Sequence, residues 1–150
     1  MNAHLTRRYG FAASHRLHSA RLSEDENRRI YGKCANPHGH GHNYFVEVTV
    51  SGPIHPETGM VANLADLDAF VHREVIEVFD HRNLNEEIPA FRERVPTTEN
   101  LCIEIYNRLR FFRPARLERV RVEETSLNSF EYAGGPSGIF AAGETQETIR

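Results

Sequence analysis

Between Gly32 and Tyr44 the chain reads Gly32-Lys33-Cys34-Ala35-Asn36-Pro37-His38-Gly39-His40-Gly41-His42-Asn43-Tyr44, its densest run of metal-binding and proton-transferring side chains. In an extended backbone, residues two apart point the same way, so His40 and His42 can reach one ion while the intervening glycine leaves room. His38 shares the alternation but follows Pro37 in a turn-like stretch, and ranks behind the other two. A tetrahedral catalytic zinc takes three protein ligands and keeps one position open for water or substrate. His15 is the best third candidate. It ends the strand-like run Phe11-Ala12-Ala13-Ser14-His15, on the same face as Phe11 and Ala13. Two other readings stand beside this one: a closed structural zinc site with Cys34 as fourth ligand, and a surface histidine run that meets metal only fortuitously. His15 taken alone reads as a hydrogen-bonded core histidine. His4, His18, His55 and His72 lack comparable spacing and read as solvated.

Other chemistry-bearing residues lie further on. Glu124 continues the face of Val120 and Val122 by period two, and a carboxylate there is costly to bury without a partner. It either binds a ligand or turns into solvent or towards an arginine. Asp80-His81 falls at the end of a helical pattern, where the macrodipole favours a cationic imidazole; read alone, it is a polar pair ending a helix. Thr97-Thr98-Glu99-Asn100 is first of all a helix start with capping side chains. Cys102 lies on an apolar stripe and reads as core.

The elements that must position these groups follow from periodicity. Residues 5–15 and 42–50 read as strands, and Arg16 to Lys33 as a long irregular connection. From Asn63 the period changes: Leu64, Leu67, Phe70, Val71, Val75, Val78 and Phe79 mark an amphipathic helix to about Asp80. A second helix follows Pro96, with Leu101, Cys102, Ile105, Leu109 and Phe112 as its stripe. Arg116–Thr125 and Phe130–Tyr132 read as strands. The order is β-β-α-α-β-β, which predicts an α+β domain: a four-stranded antiparallel sheet with two helices on one face.

Composition sets the bounds. The chain has 39% hydrophobic and 26% charged residues, ordinary for one globular domain, here expected over residues 1–133, with residues 134–150 as a flexible tail. A formal charge of -3 gives no field that attracts nucleic acid, so an anionic substrate must be caught locally. No signal-like leader or membrane-length apolar run is read, and two cysteines with no disulfide expected between them suit a reducing cytoplasm.

Taken together, Phe11-Ala12-Ala13-Ser14-His15-Arg16-Leu17, Cys34 separated by five residues from His40-Gly41-His42-Asn43-Tyr44, Asp80-His81-Arg82-Asn83-Leu84, Pro96-Thr97-Thr98-Glu99-Asn100 and Glu124-Thr125 resemble the 6-pyruvoyl-tetrahydropterin synthase family from about Leu5 to Tyr132. The resemblance implies the tunnelling fold, Zn2+ on His15, His40 and His42, and Cys34 as the proton-abstracting thiolate in a relay with Asp80 and His81. It implies Glu124 as the pterin anchor, with Thr97, Thr98 and Glu99 nearby. It further implies a pterin triphosphate substrate and a homohexamer of two trimers with active sites between subunits. The related 6-carboxy-tetrahydropterin synthases of 7-deazaguanine synthesis share these residues, but have three residues between their cysteine and His-Gly-His, so the five here favour the pyruvoyl branch. Cys34 argues against an aldolase-like relative with glutamate in its place. The relay residues and Glu124 argue against a noncatalytic zinc protein. His38, where animal members carry Asn, departs from the pattern.

Overall fold

A computed structural model describes residues 2–135, so most of the expected tail lies outside the described residues. Two long strands dominate it. β1 (Asn2–His15) and β2 (His40–Pro53) pair antiparallel along their full lengths, from Asn2 opposite Pro53 to His15 opposite His40. Both outrun the ranges that periodicity marks, because backbone pairing continues where the side chains turn polar or are glycine. β4 (Arg116–Thr125) pairs with the other edge of β2, and β5 (Asn128–Tyr132) folds back on β4 as a hairpin. A two-residue strand, β3 (Arg82–Asn83), adds a parallel partner to β1, giving the order β3-β1-β2-β4-β5. The four expected strands are all present. The fifth comes from backbone hydrogen bonds around Asp80 and His81, which no side-chain pattern announces.

One face of the sheet carries the core. Alternation buries Phe11, Ala13 and His15 on β1, Tyr44, Val46, Val48 and Val50 on β2, and Val120 and Val122 on β4. The register between β2 and β4 shifts after Thr49, so that Leu117 as well as Val120 faces inward. Against this face lie α2 (Leu64–Val71), a π turn (His72–Ile76) and α3 (Glu77–Phe79), which form one continuous path. Its buried residues Leu67, Val71, Val75 and Phe79 recur strictly at four. Such a stripe drifts around a helix of 3.6 residues per turn, and the wider π turn takes up the drift. α5 (Thr98–Leu109) adds Leu101, Cys102, Ile105 and Leu109, all at 1% exposure or less. Each such side chain contributes about 1.5–3 kcal/mol. Cys102 donates towards Val120 O (3.2 Å), and burial pushes its thiol up to about 12.

The segment read as irregular contains a helix, α1 (Glu24–Tyr31). Its few apolar residues give no stripe, so it is stabilised locally. Ser23 Oγ accepts from Glu26 N while Glu26 Oε1 accepts from Ser23 N, a reciprocal cap with acidic residues in the first turn and basic ones in the last. Asn27, 1% exposed, donates to the carbonyls of Ser19 and Ser23 and anchors the preceding loop. A 3-10 turn (Gly32–Ala35) then leads through Asn36 to Gly39 into β2. A short helix, α4 (Leu84–Glu87), follows β3. Among the described residues, no helix is long and apolar enough to cross a membrane.

Candidate active site

The histidines meet because of strand register. His15 lies opposite His40, and Ala13 opposite His42, at the open end of the β1–β2 ladder. Period two then aims all three imidazoles to the core side, continuing the line of Phe11 and Tyr44. Ring centroids are 5.2 Å apart for His15–His40, 4.9 Å for His15–His42 and 4.7 Å for His40–His42. The entry into β2 depends on Gly39, whose φ is +71° and where a Cβ would stand 2.8 Å from the carbonyl oxygen of His15. Gly41 has no such need; a Cβ there would make ordinary contact with Ala13 O at 3.6 Å.

His15 is fully buried, and its tautomer is fixed from behind. Nδ1 donates to Pro96 O at 3.0 Å, with the Tyr44 hydroxyl 3.2 Å from the same nitrogen, which leaves Nε2 as a bare lone pair. The Nε2 atoms of His15, His40 and His42 are the buried side-chain nitrogens without a hydrogen-bond partner among the described residues. Three orphaned acceptors pointing into one space is the donor set of a metal site, and the residues present fit a metal. Burial holds His15 down to about 4, and burial also lowers His42, so both are neutral and ready to ligate at neutral pH.

Glu124 reaches the same space from β4. Its Oε2 lies 3.7 Å from His15 Nε2 and 3.6 Å from His42 Nε2, with the side chain 13% exposed. The Cys34 sulfur lies within 4.8 Å of nitrogens of both His15 and His40. The loop carrying it is tied to the strand end: Leu17 N donates to Cys34 O at 2.7 Å and Arg16 Nε to Ala35 O at 3.2 Å. Burial, and then the Glu124 charge, push the Cys34 thiol up. Both effects disfavour the thiolate, which positive charge brought close to the sulfur would favour.

The remaining sequence candidates sit at the margins. Asp80 ends α3, accepts from Ala12 N at 2.9 Å through Oδ1, and faces His81 Nδ1 at 3.0 Å through Oδ2. The Ala12 bond is the largest cause that holds its carboxyl below the usual range. His81 has φ +60° and an 83% exposed side chain, and it lines a cleft with His42, Asn43 and Glu87. Among the described residues, no hydrogen bond or ion pair links Asp80 or His81 to Cys34. Thr97 Oγ1 caps α5 by accepting from Asn100 N, Thr98 is buried and Glu99 is exposed. His38 is exposed, with its backbone N–H on Asn36 Oδ1.

Sequence reasoning missed the supports. Pro96 contributes a carbonyl that orients His15, and Asn85 clamps Arg16 by accepting from its N–H and donating to its carbonyl. Backbone partners leave no mark in residue type. The Ser23–Glu26 cap of α1 was missed as well, although a serine with a glutamate three residues later is its signal.

Comparison with known proteins agrees with this geometry. A family profile described as 6-pyruvoyl tetrahydropterin synthase matches residues 4–135. The 6-pyruvoyl tetrahydrobiopterin synthase of Poecilia reticulata is 48% identical over 132 residues, 87% of this chain and 90% of that protein. The structure of Caenorhabditis elegans 6-pyruvoyl tetrahydropterin synthase superposes with a TM-score of 0.85 at 39% identity, covering 90% of this chain and 97% of that one. A candidate 6-carboxy-5,6,7,8-tetrahydropterin synthase of Archaeoglobus fulgidus is 44% identical over only 92 residues, 61% of this chain. Profile, sequence and fold thus coincide over nearly every described residue, and the chain belongs to the 6-pyruvoyl tetrahydropterin synthase family.

Proposed function

We propose that this chain converts 7,8-dihydroneopterin triphosphate to 6-pyruvoyl-tetrahydropterin with release of triphosphate, in a reducing cytoplasm. The observation that carries this is the set of three orphaned Nε2 atoms of His15, His40 and His42 beside a cysteine and a carboxylate. These imidazoles would hold zinc, which supplies a Lewis acid for the substrate's side-chain oxygens. Cys34 lifts a carbon-bound proton, and Asp80 with His81 returns one, so hydrogens move from the side chain into the ring without an external redox cofactor. Their Nδ1–Oδ2 contact of 3.0 Å suits a proton carrier held by a carboxylate. Glu124 anchors the pterin's N–H edge; Thr97, Thr98 and Glu99 at the start of α5 complete that wall. Among the described residues no hydrogen bond or ion pair joins Asp80 or His81 to Cys34, which supports a relay shared between neighbouring subunits of a homohexamer.

The 6-carboxy reading shares the site but is supported only by a shorter match. Purified protein given zinc and 7,8-dihydroneopterin triphosphate should release triphosphate and a 6-pyruvoyl product. Cys34→Ala should bind the pterin yet lose at least a hundredfold in turnover, whereas Glu124→Gln should chiefly weaken binding. Release of acetaldehyde with a 6-carboxy product would move the chain to the other branch, and full turnover by Cys34→Ala would sink the mechanism.

A further inference from the structure

A protein of net charge -3 that acts on a triphosphate must concentrate cations somewhere near its reacting atoms. Among the described residues, two clefts each gather three arginine or lysine side chains. One, of about 460 Å³, holds Arg21, Arg92 and Arg94, and approaches the histidines only through Pro96. The other, of about 420 Å³, is lined by Arg16, Arg28 and Lys33 and ends on His40 itself. Its position follows from the fold: Arg16 continues β1 directly after His15, Arg28 lies in the last turn of α1, and Lys33 lies in the turn that carries Cys34.

The charges in this second cleft are available. Arg16 spends Nε on Ala35 O and its main chain on Asn85, which leaves its two terminal nitrogens without a hydrogen bond among the described residues. Lys33 is exposed, and among the described residues its side chain has no partner. Arg28 is paired with Asp25, an ion pair whose side chains are 66% and 91% exposed and so readily exchanged. Glu24, the acidic residue of the lining, faces His18 at 3.4 Å.

Resting on the function proposed above, we infer that the Arg16–Arg28–Lys33 cleft is the polyphosphate subsite, receiving the triphosphate while Glu124 holds the pterin edge. His40 lines both spaces, so a substrate anchored at Glu124 can pass the histidines and leave its anionic end in the cleft. Guanidinium groups pair two-pronged with phosphate oxygens and the lysine adds a mobile point charge.

The test is equilibrium binding of inorganic triphosphate, as its magnesium complex, to the zinc-loaded protein. Arg28→Gln with Lys33→Gln should weaken it at least tenfold and flatten its salt dependence, while 7,8-dihydroneopterin without phosphates binds within twofold of normal. Both positions are exposed, so the fold should be intact, and Lys33→Arg should restore most of the loss. Arg21→Gln with Arg92→Gln should leave triphosphate binding unchanged. If that second pair carries the loss, or neither does, the assignment is wrong. Lyase turnover with triphosphate binding indifferent to Arg28 and Lys33 removes the subsite and keeps the function; binding that depends on them without turnover keeps the subsite and removes the function.

Discussion

Three histidines that share one space without a cation repel any proton offered to them, and that makes the site's chemistry visible in stability as well as in catalysis. His15 is held down to about 4 chiefly by burial, and His42 is lowered by the same cause. In the unfolded chain both titrate near the usual ~6.5. Between those values the unfolded state binds more protons, so the metal-free protein gains stability as pH rises from about 4 and levels off above about 6.5. For His15 alone the difference is roughly 3 kcal/mol. Asp80 and Asp68, both lowered by their hydrogen bonds, extend the loss further into acid. Urea midpoints of the metal-free protein measured from pH 4.5 to 8 should rise and then plateau; a midpoint that is flat or falls towards neutrality would contradict neutral, buried imidazoles.

At the scale of elements, what matters is how β2 is started. Gly39 turns the chain from the Cys34 loop into the strand, and it tolerates no side chain for two separate reasons: φ is +71°, and a Cβ would meet His15 O at 2.8 Å. Gly59 has the same φ, +72°, but open space around it. Asparagine adopts this backbone region more readily than most residues. Gly59→Asn should therefore shift the melting temperature little, whereas Gly39→Asn should lower stability by about 1–3 kcal/mol and weaken metal binding, because His40 moves with the clash. Equal effects at the two positions would show that backbone conformation alone governs both. The same element scale separates what the sequence made legible from what it did not. Side-chain alternation placed His15, His40, His42 and Glu124 on one face, since burial and register both act through side chains. The parallel strand β3, the Pro96 carbonyl behind His15 and the Asn85 clamp act through backbone atoms that every residue possesses. The π turn was hidden too; four-residue spacing over Leu67 to Phe79 hints at it only once the helix is known to stay on the sheet.

At the scale of the whole molecule, the outer face of the sheet and the position of His81 point the same way. On that face Glu47 accepts from Arg8 and Arg121, and the Arg8 guanidinium stacks 4.4 Å over Phe45, a large side chain left 39% exposed. His81 is fixed by Asp80 yet projects into solvent, on a cleft that His42 lines and Cys34 does not. In the relay proposed above, Cys34 of one chain works with His81 of a second copy, each subunit lending one half. This has a numerical consequence that no single-chain site shares. Cys34→Ala and His81→Ala chains, each inactive alone, should regain activity when co-assembled in equal amounts. An active position then needs Cys34 from one chain and His81 from its neighbour, so random mixing restores about a quarter of the sites of a symmetric oligomer. If both halves came from one chain, every position in the mixture would lack one of them and activity would stay at the level of the separate variants. Sedimentation of the mixed sample should show one hexameric species; recovered activity in a monomer would be equally incompatible with a shared site.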